Sequence, residues 1–348
     1  MADIPGILSP GRRGSQGVPA LLESQAPSAI MSTYPVSDHC DGKRFFNPHA
    51  RARPLSAVFT WIRTREKSAW PRHVPLISYP PPPASVAPGQ VAVTFIGHSS
   101  FLLRTATRVI ITDPVFTTRA GPFGIMGPAR VRPPGLRPSA LPNVDIVLVS
   151  HNHYDHLQHS SLRLFDRTAA VVAPLGVFGT DAREPREAPA LDWWDTVTAR
   201  GAEITCVPAQ HFSARTPFDR DLTLWCGFVL RIDGVTIYFA GDSGYSRHFA
   251  QIGQRFGSID VALLPIGAYA PRWFMGPVHM NPDEAVRAHL EVRARHSVGM
   301  HFGTFQLTDE DIDEPVRALD AARRAHGVTP GAFEVLGFGE TVIYSAAG

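Results

Sequence analysis

The chain lacks any run of about eighteen consecutive apolar residues, so no segment has the length and hydropathy of a membrane-spanning helix. Cysteine is scarce. The three present, Cys40, Cys206 and Cys226, are odd in number and without C-x-x-C spacing, which gives no disulfide framework and leaves buried thiols in a reducing compartment as the expectation. Charge of one sign is also lacking: the net charge is +2 and the arginines are scattered without a basic block, so no nucleic-acid partner is expected. Anionic lipid headgroups remain compatible. The first thirty-odd residues carry no apolar core of a signal peptide and no acceptor pattern for a lipid anchor. Rich in Gly, Pro, Ser and Ala, residues 1–35 are expected to be disordered or a non-native extension, with Met31 as an alternative beginning. The expected setting is cytoplasmic, with any membrane contact peripheral.

What is present is ample core and one concentrated cluster. With 348 residues, 44% hydrophobic and 18% charged, the chain has the balance of a globular enzyme, and residues 36–348 are expected to form a single hydrolase domain. The stretch His151-Asn152-His153-Tyr154-Asp155-His156 sets four metal-ligand candidates directly after the apolar run Val144 to Ser150. In an extended segment His151 and His153 point the same way and close on one ion, while Asp155 and His156 follow where the chain turns and reach a second. More ligands must come from elsewhere. Three candidates each follow a strand-like run: His211 after 204–208, Asp242 after 235–240 and His301 after 297–300. Any one of them alone would more often be a hydrogen-bonded or surface residue, and Asp242 also sits in a turn-forming Gly-Asp-Ser-Gly string. Beside an H-x-H-x-D-H cluster they complete a coordination set. Seven ligands suit two metals, zinc by preference, with manganese or iron as further occupants of the same donors.

Longer strings carry a family resemblance. The metal cluster resembles that of the metallo-β-lactamase superfamily. Gly97-His98-Ser99-Ser100, Leu191-Asp192-Trp193-Trp194-Asp195, Phe239 to Tyr245, Ile266 to Met275 and His301-Phe302-Gly303-Thr304-Phe305 resemble, more narrowly, the N-acylphosphatidylethanolamine-hydrolysing phospholipase D family. The similarity runs over roughly residues 38 to 345. It implies an α/β fold, a four-layer αββα sandwich with metals at one edge where the sheets meet. It further implies that His151, His153 and His211 hold one zinc, that Asp155, His156 and His301 hold the other, and that Asp242 bridges them. Asp155 would orient the attacking hydroxide, and Tyr154 and His279 would contact substrate, with His279 near the phosphate or leaving group. The implied substrate is N-acylphosphatidylethanolamine at a membrane surface, yielding an N-acylethanolamine and phosphatidic acid; a homodimer is compatible with it. Phe212 and Met280 depart from the vertebrate pattern of Trp and Val, which alters the pocket wall.

Other features are more ambiguous. A helix is expected near 54–69, where Leu55, Val58, Phe59, Trp61 and Ile62 recur beside cations; such a stripe either packs on the core or lies in a lipid interface. His98 and Asp113 either orient metal ligands or, for Thr112-Asp113-Pro114, form an ordinary turn. A metal-dependent lactonase would use the same centre but a small polar pocket, and an iron redox protein would favour a carboxylate in place of one of the first two histidines. Further strands are expected near 91–96, 100–104, 108–112, 144–150, 169–173, 203–207, 225–232, 235–240, 260–264, 297–301 and 341–345. Further helices are expected near 158–166, 247–256, 282–293 and 313–325.

Overall fold

A computed structural model describes residues 34–50, 53–165, 169–178 and 190–347. The expectation for residues 1–35 falls almost wholly outside them. The described residues belong to one compact unit, Ser32–Gly348.

Alternation builds the first sheet. In β1 (Gln90–Gly97), Val91, Val93 and Phe95 enter the core between the sheets, while Ile96 packs in a separate cluster on the outer face. The same two-residue period sends Phe101 and Leu103 of β2 (Ser100–Arg104) inward and Leu102 outward, and repeats in β3 (Val109–Thr112) and β4 (Ile146–Leu148). With β5 (Ala170–Val172) and the returning β13 (Thr341–Ser345), these strands run in the order β13-β1-β2-β3-β4-β5. The second sheet follows chain order almost throughout. It takes β6 (Thr196–Ala199), β7 (Ala202–Val207), β8 (Gly227–Ile232), β9 (Val235–Phe239), β10 (Ile259–Pro265), β11 (Ala294–Met300) and β12 (Phe333–Glu334), arranged β12 to β6. Its central strands β9 and β10 are buried on both faces because helices cover the outer one.

Those helices are α3 (His248–Phe256), α5 (Pro282–Glu291) and α6 (Glu314–His326). The first turn of α5 is fixed by a reciprocal cap in which the Asn281 side chain accepts from the Glu284 N–H and the Glu284 carboxylate accepts from the Asn281 N–H, with Pro282 at the first position. On the outer face of the first sheet, Leu157 and Leu162 pack with Ile96, Leu102 and Val147, the latter leucine from the short α2 (His159–Leu162). The result is a sheet-on-sheet sandwich with helices outside, the four-layer arrangement expected. All three cysteines are buried and free. No helix among the described residues is long and apolar enough to cross a membrane.

Two expected helices are shorter than their sequence patterns. α1 (Leu55–Thr64) stops five residues before the expected end, because Arg65 turns extended to reach Asp309 at 2.7 Å. The helix expected over 158–166 closes at Leu162, with Arg163 capping it. Unexpected elements are small: β6, the two-residue β12, and α4 (Arg272–Met275) within the aromatic string.

Candidate metal centre

Parallel pairing sets the carboxyl ends of β3 and β4, and of β9, β10 and β11, side by side at one edge of the sandwich. Loops leaving such ends are where an α/β sheet gathers its chemistry. Asp113 follows β3, His151 follows β4, Asp242 follows β9 and His301 follows β11. Left-handed backbone at His98 (φ 58°), Asp113 (φ 31°) and His301 (φ 62°) turns each chain sharply out of its strand. Gly241 holds the same conformation at φ 59° in a tighter space, since a Cβ there would stand 2.6 Å from the Cys226 carbonyl oxygen. Only glycine lets Asp242 arrive from that direction.

The convergence forms two adjoining groups. His151, His153 and His211 bring their ring nitrogens together, with His151 Nε2 at 2.8 Å and His211 Nε2 at 3.2 Å from His153 Nδ1. Beside them stand Asp155, His156 and His301, joined by His98. Asp242 Oδ2 lies between the groups, 3.1 Å from His156 Nε2, 3.0 Å from His301 Nε2 and 3.7 Å from His211 Nε2. All seven residues singled out as ligands in the sequence therefore meet.

Burial then acts differently on the two groups. The first is a nest of neutral imidazoles: desolvation, then the neighbouring histidines, hold His151 well below its usual range and His153 at about 3. Desolvation also lowers His211, to about 4. In the second group burial opposes charge as well, but the Asp242, Asp155 and Asp113 carboxylates overcome it and raise His156 well above the ordinary range. Asp155 and Asp242 stay ionised; burial would raise them, yet His156 and His301 outweigh it.

Several orienting contacts depend on the three-dimensional fold. The fully buried Asp113 carboxylate lies 2.6 Å from His156 Nδ1, accepts from the Ser150 hydroxyl at 2.6 Å and accepts from the Ser150 N–H at 2.7 Å. Ser150 Oγ is 2.9 Å from His151 Nδ1, so one carboxylate steadies a ring in each group. His98 Nε2 sits 3.0 Å from Asp155 Oδ2. His211 Nδ1 faces the Val278 carbonyl oxygen at 3.0 Å, and Asn47 donates to the His211 carbonyl at 2.7 Å. Asn47 and Ser150 were not legible in the sequence, because a main-chain or hydroxyl contact leaves no spacing signal.

His279 lies with its Nδ1 4.0 Å from Asp242 Oδ2, buried and held neutral by desolvation. Arg272 keeps it in place by donating to its carbonyl oxygen at 2.8 Å while pairing with Glu284. Tyr154 follows His153 in the same loop. It is absent from the lining of the adjoining cavity, and its ring instead carries the Arg215 guanidinium at 4.0 Å.

The donor set suits a cation. Nε2 of His156 and of His301, Oδ1 of Asp242 and Nδ1 of His279 are buried without a hydrogen-bond partner, and three lone-pair-bearing imidazoles face one another with no carboxylate between them. Above this floor opens a cavity of about 440 Å³, with His153, Asp155, His211, Asp242 and His279 at its base and Phe46, Val58, Trp61, Phe212, Phe274, Met275 and Leu307 among its walls.

Residues 108–302 match the family described as Beta-lactamase superfamily domain. An uncharacterized protein of Mycobacterium tuberculosis is 41% identical over 249 residues, 69% of this chain and 66% of that one. A protein named N-acyl-phosphatidylethanolamine-hydrolyzing phospholipase D 1 from Caenorhabditis elegans is 38% identical over 237 residues, 64% of this chain and 67% of that one. The chain thus spans about two thirds of the length of these relatives. Among solved structures, a metallo hydrolase from the archaeon Ignicoccus hospitalis shares the fold at a TM-score of 0.56 and 24% identity, covering 74% of this chain and all of that one. Fold and His/Asp centre are together those of a metal-dependent hydrolase. The chain belongs to the metallo-β-lactamase superfamily.

Proposed function

We propose that the chain is a binuclear zinc phosphodiesterase of the phospholipase D type, converting N-acylphosphatidylethanolamine and water to an N-acylethanolamine and phosphatidic acid. The observation that carries this reading is the cavity: ligand atoms form its floor and large apolar side chains form its walls. A lactonase for a small polar ester would need the reverse. The relative named for N-acylphosphatidylethanolamine hydrolysis supports the same substrate class.

Two zinc ions held by His151, His153 and His211 on one side and Asp155, His156 and His301 on the other, with Asp242 between, would supply Lewis acidity to the phosphodiester oxygens and acidify water. The chain's own groups do the rest. Asp155, steadied by His98, presents a fixed carboxylate toward the attacking water. His279, neutral and with an unpartnered Nδ1, would take up the proton shed by the attacking water and pass it to the departing alkoxide. Apolar walls exclude competing water and hold acyl chains. Phe46 of the lining, Phe59 and Ile62 next in sequence to the lining residues Val58 and Trp61, and Trp273 next to the lining Phe274 are exposed, and a lipid surface is the partner such side chains fit.

The test is a substrate comparison with purified zinc-loaded protein: N-acylphosphatidylethanolamine, phosphatidylcholine, a soluble phosphodiester and a lactone. N-acylethanolamine release and two zinc ions per chain are expected. His279→Ala should keep both ions and lose activity by about a hundredfold. Lactone turnover without lipid turnover would end the proposal, and metal loss in His279→Ala would move that residue into the ligand set.

A further inference from the structure

The cavity wall above the metal centre is broken by two arginines, Arg53 and Arg220. Arg220 is the more firmly placed. Its guanidinium lies 4.6 Å over the Phe212 ring, and that ring lies edge-on 4.6 Å from His153, so the cation stands one aromatic layer above the floor. Nε faces Asp221 Oδ2 at 3.3 Å, and Asp221 itself accepts from the Ser213 N–H. One edge of the fork is thereby fixed. The two Nη groups make no hydrogen bond among the described residues and remain available to an occupant of the cavity.

We infer that Arg220 is a specificity-determining residue that binds the amide carbonyl of an N-acylated headgroup and disfavours the unacylated ethanolamine. This rests on the phosphodiester reading above. With the phosphate on the floor, the next acceptor along the leaving group is the amide carbonyl, a few bonds away across an ethylene link that offers none. A planar guanidinium with free donors suits that oxygen. In the unacylated lipid the same region carries an ammonium, which a fixed cation repels. One side chain thus supplies both an attractive and a repulsive element, the combination that discrimination between close substrates requires.

The experiment compares wild type, Arg220→Met and Arg220→Lys on N-acylphosphatidylethanolamine and on phosphatidylethanolamine, with calorimetric binding of N-acylethanolamine as an independent readout. Arg220→Met should lower kcat/KM for the N-acylated lipid by about tenfold or more, chiefly through KM, while leaving or raising turnover of phosphatidylethanolamine. Arg220→Lys keeps the charge, loses the fork, and should fall between; it also serves should the Met variant fail to fold. An unchanged ratio between the two lipids would overturn the inference. Should wild type hydrolyse neither lipid, the functional reading fails by itself and binding of N-acylethanolamine decides: weakening in Arg220→Met upholds the role of Arg220, and equal or absent binding overturns it.

Discussion

Protons in the metal-free centre occupy places that cations would otherwise take. His301 shows this most clearly: burial opposes its charge, but Asp242 and Asp155 outweigh burial and lift it to about 9. A raised pKa stabilises the fold fully below the ordinary value of 6.5, and that contribution is lost as pH rises through about 9. His156, also raised, acts in the same direction. The metal-free chain should therefore melt at progressively lower temperature as pH rises from about 7.5 to about 9. Zinc binds neutral imidazole, so the rise in Tm on adding zinc should grow over the same window. The lowered histidines, His98 and His153 at about 3 and His211 at about 4 among them, act oppositely until their unfolded forms have lost their protons around 6.5, so the fall is read between about 7.5 and 9. Melting curves of chelated and zinc-loaded protein test this, with His301→Gln expected to flatten the chelated profile. A chelated Tm that holds steady or climbs between these limits would show that the ion-pair lattice is absent. The sequence singled out 151–156 because a dense cluster after an apolar strand is a strong local signal, whereas His301 carried none alone and entered only as a complement to that cluster. Asp113 was ambiguous for a physical reason: it is both a turn residue with positive φ and the carboxylate that orients His156.

Among the elements, α1 has a divided surface. Trp61 belongs to the body: its indole stacks on Phe274 at 5.0 Å and donates to Asp309 at 2.9 Å. Phe59, two residues before Trp61, and Ile62, one after, are 72% and 59% exposed, so the core does not account for them. Periodicity alone could not make this division, since it marks a face and not what covers it. The double variant Phe59→Ser, Ile62→Ser should keep its Tm and its turnover of a soluble phosphodiester while losing several-fold in vesicle binding and lipid hydrolysis. Trp61→Ser should instead lower stability by about 1 to 3 kcal/mol through the lost stack and the lost hydrogen bond to Asp309 Oδ2. Equal effects of the two variants on stability and on both substrates would remove α1 from any role at a lipid surface. The elements that escaped the sequence share an explanation as well. β6 alternates over only four residues and β12 has two, so neither offers a period long enough to detect. α4 is hidden inside an aromatic string whose pattern speaks of the pocket rather than of a helix.

For the whole molecule, the origin of each ligand matters more than the number. His151, His153, Asp155 and His156 leave the first sheet after β4, whereas His211, Asp242 and His301 leave the second after β7, β9 and β11. The metal centre therefore spans the seam of the sandwich and ties its two sheets at one edge, while the inter-sheet core of Val91, Phe95, Phe228 and Phe239 holds the interior. The sequence named residues on both sides of the seam by their positions after strand-like runs. It could not show that they close it, because which strands lie adjacent is a property of topology and register. A bound ion stabilises only the state in which both sheets present their donors, so its binding free energy is added to the docking of the sheets. At free zinc about a hundred times its dissociation constant the gain is about 2.7 kcal/mol. In a chain of 348 residues that corresponds to roughly 4 °C in Tm. Chelation should remove that increment without unfolding the chain at ambient temperature, since the core stands without the metal. It should also raise amide exchange first in the 151–156 and 242–244 loops, where the staple is lost, and leave β8 and β10 protected. Global unfolding on chelation would make the metal the foundation of the fold. A Tm indifferent to chelation, with metal shown to have been bound and removed, would mean that the ligands do not bridge the seam.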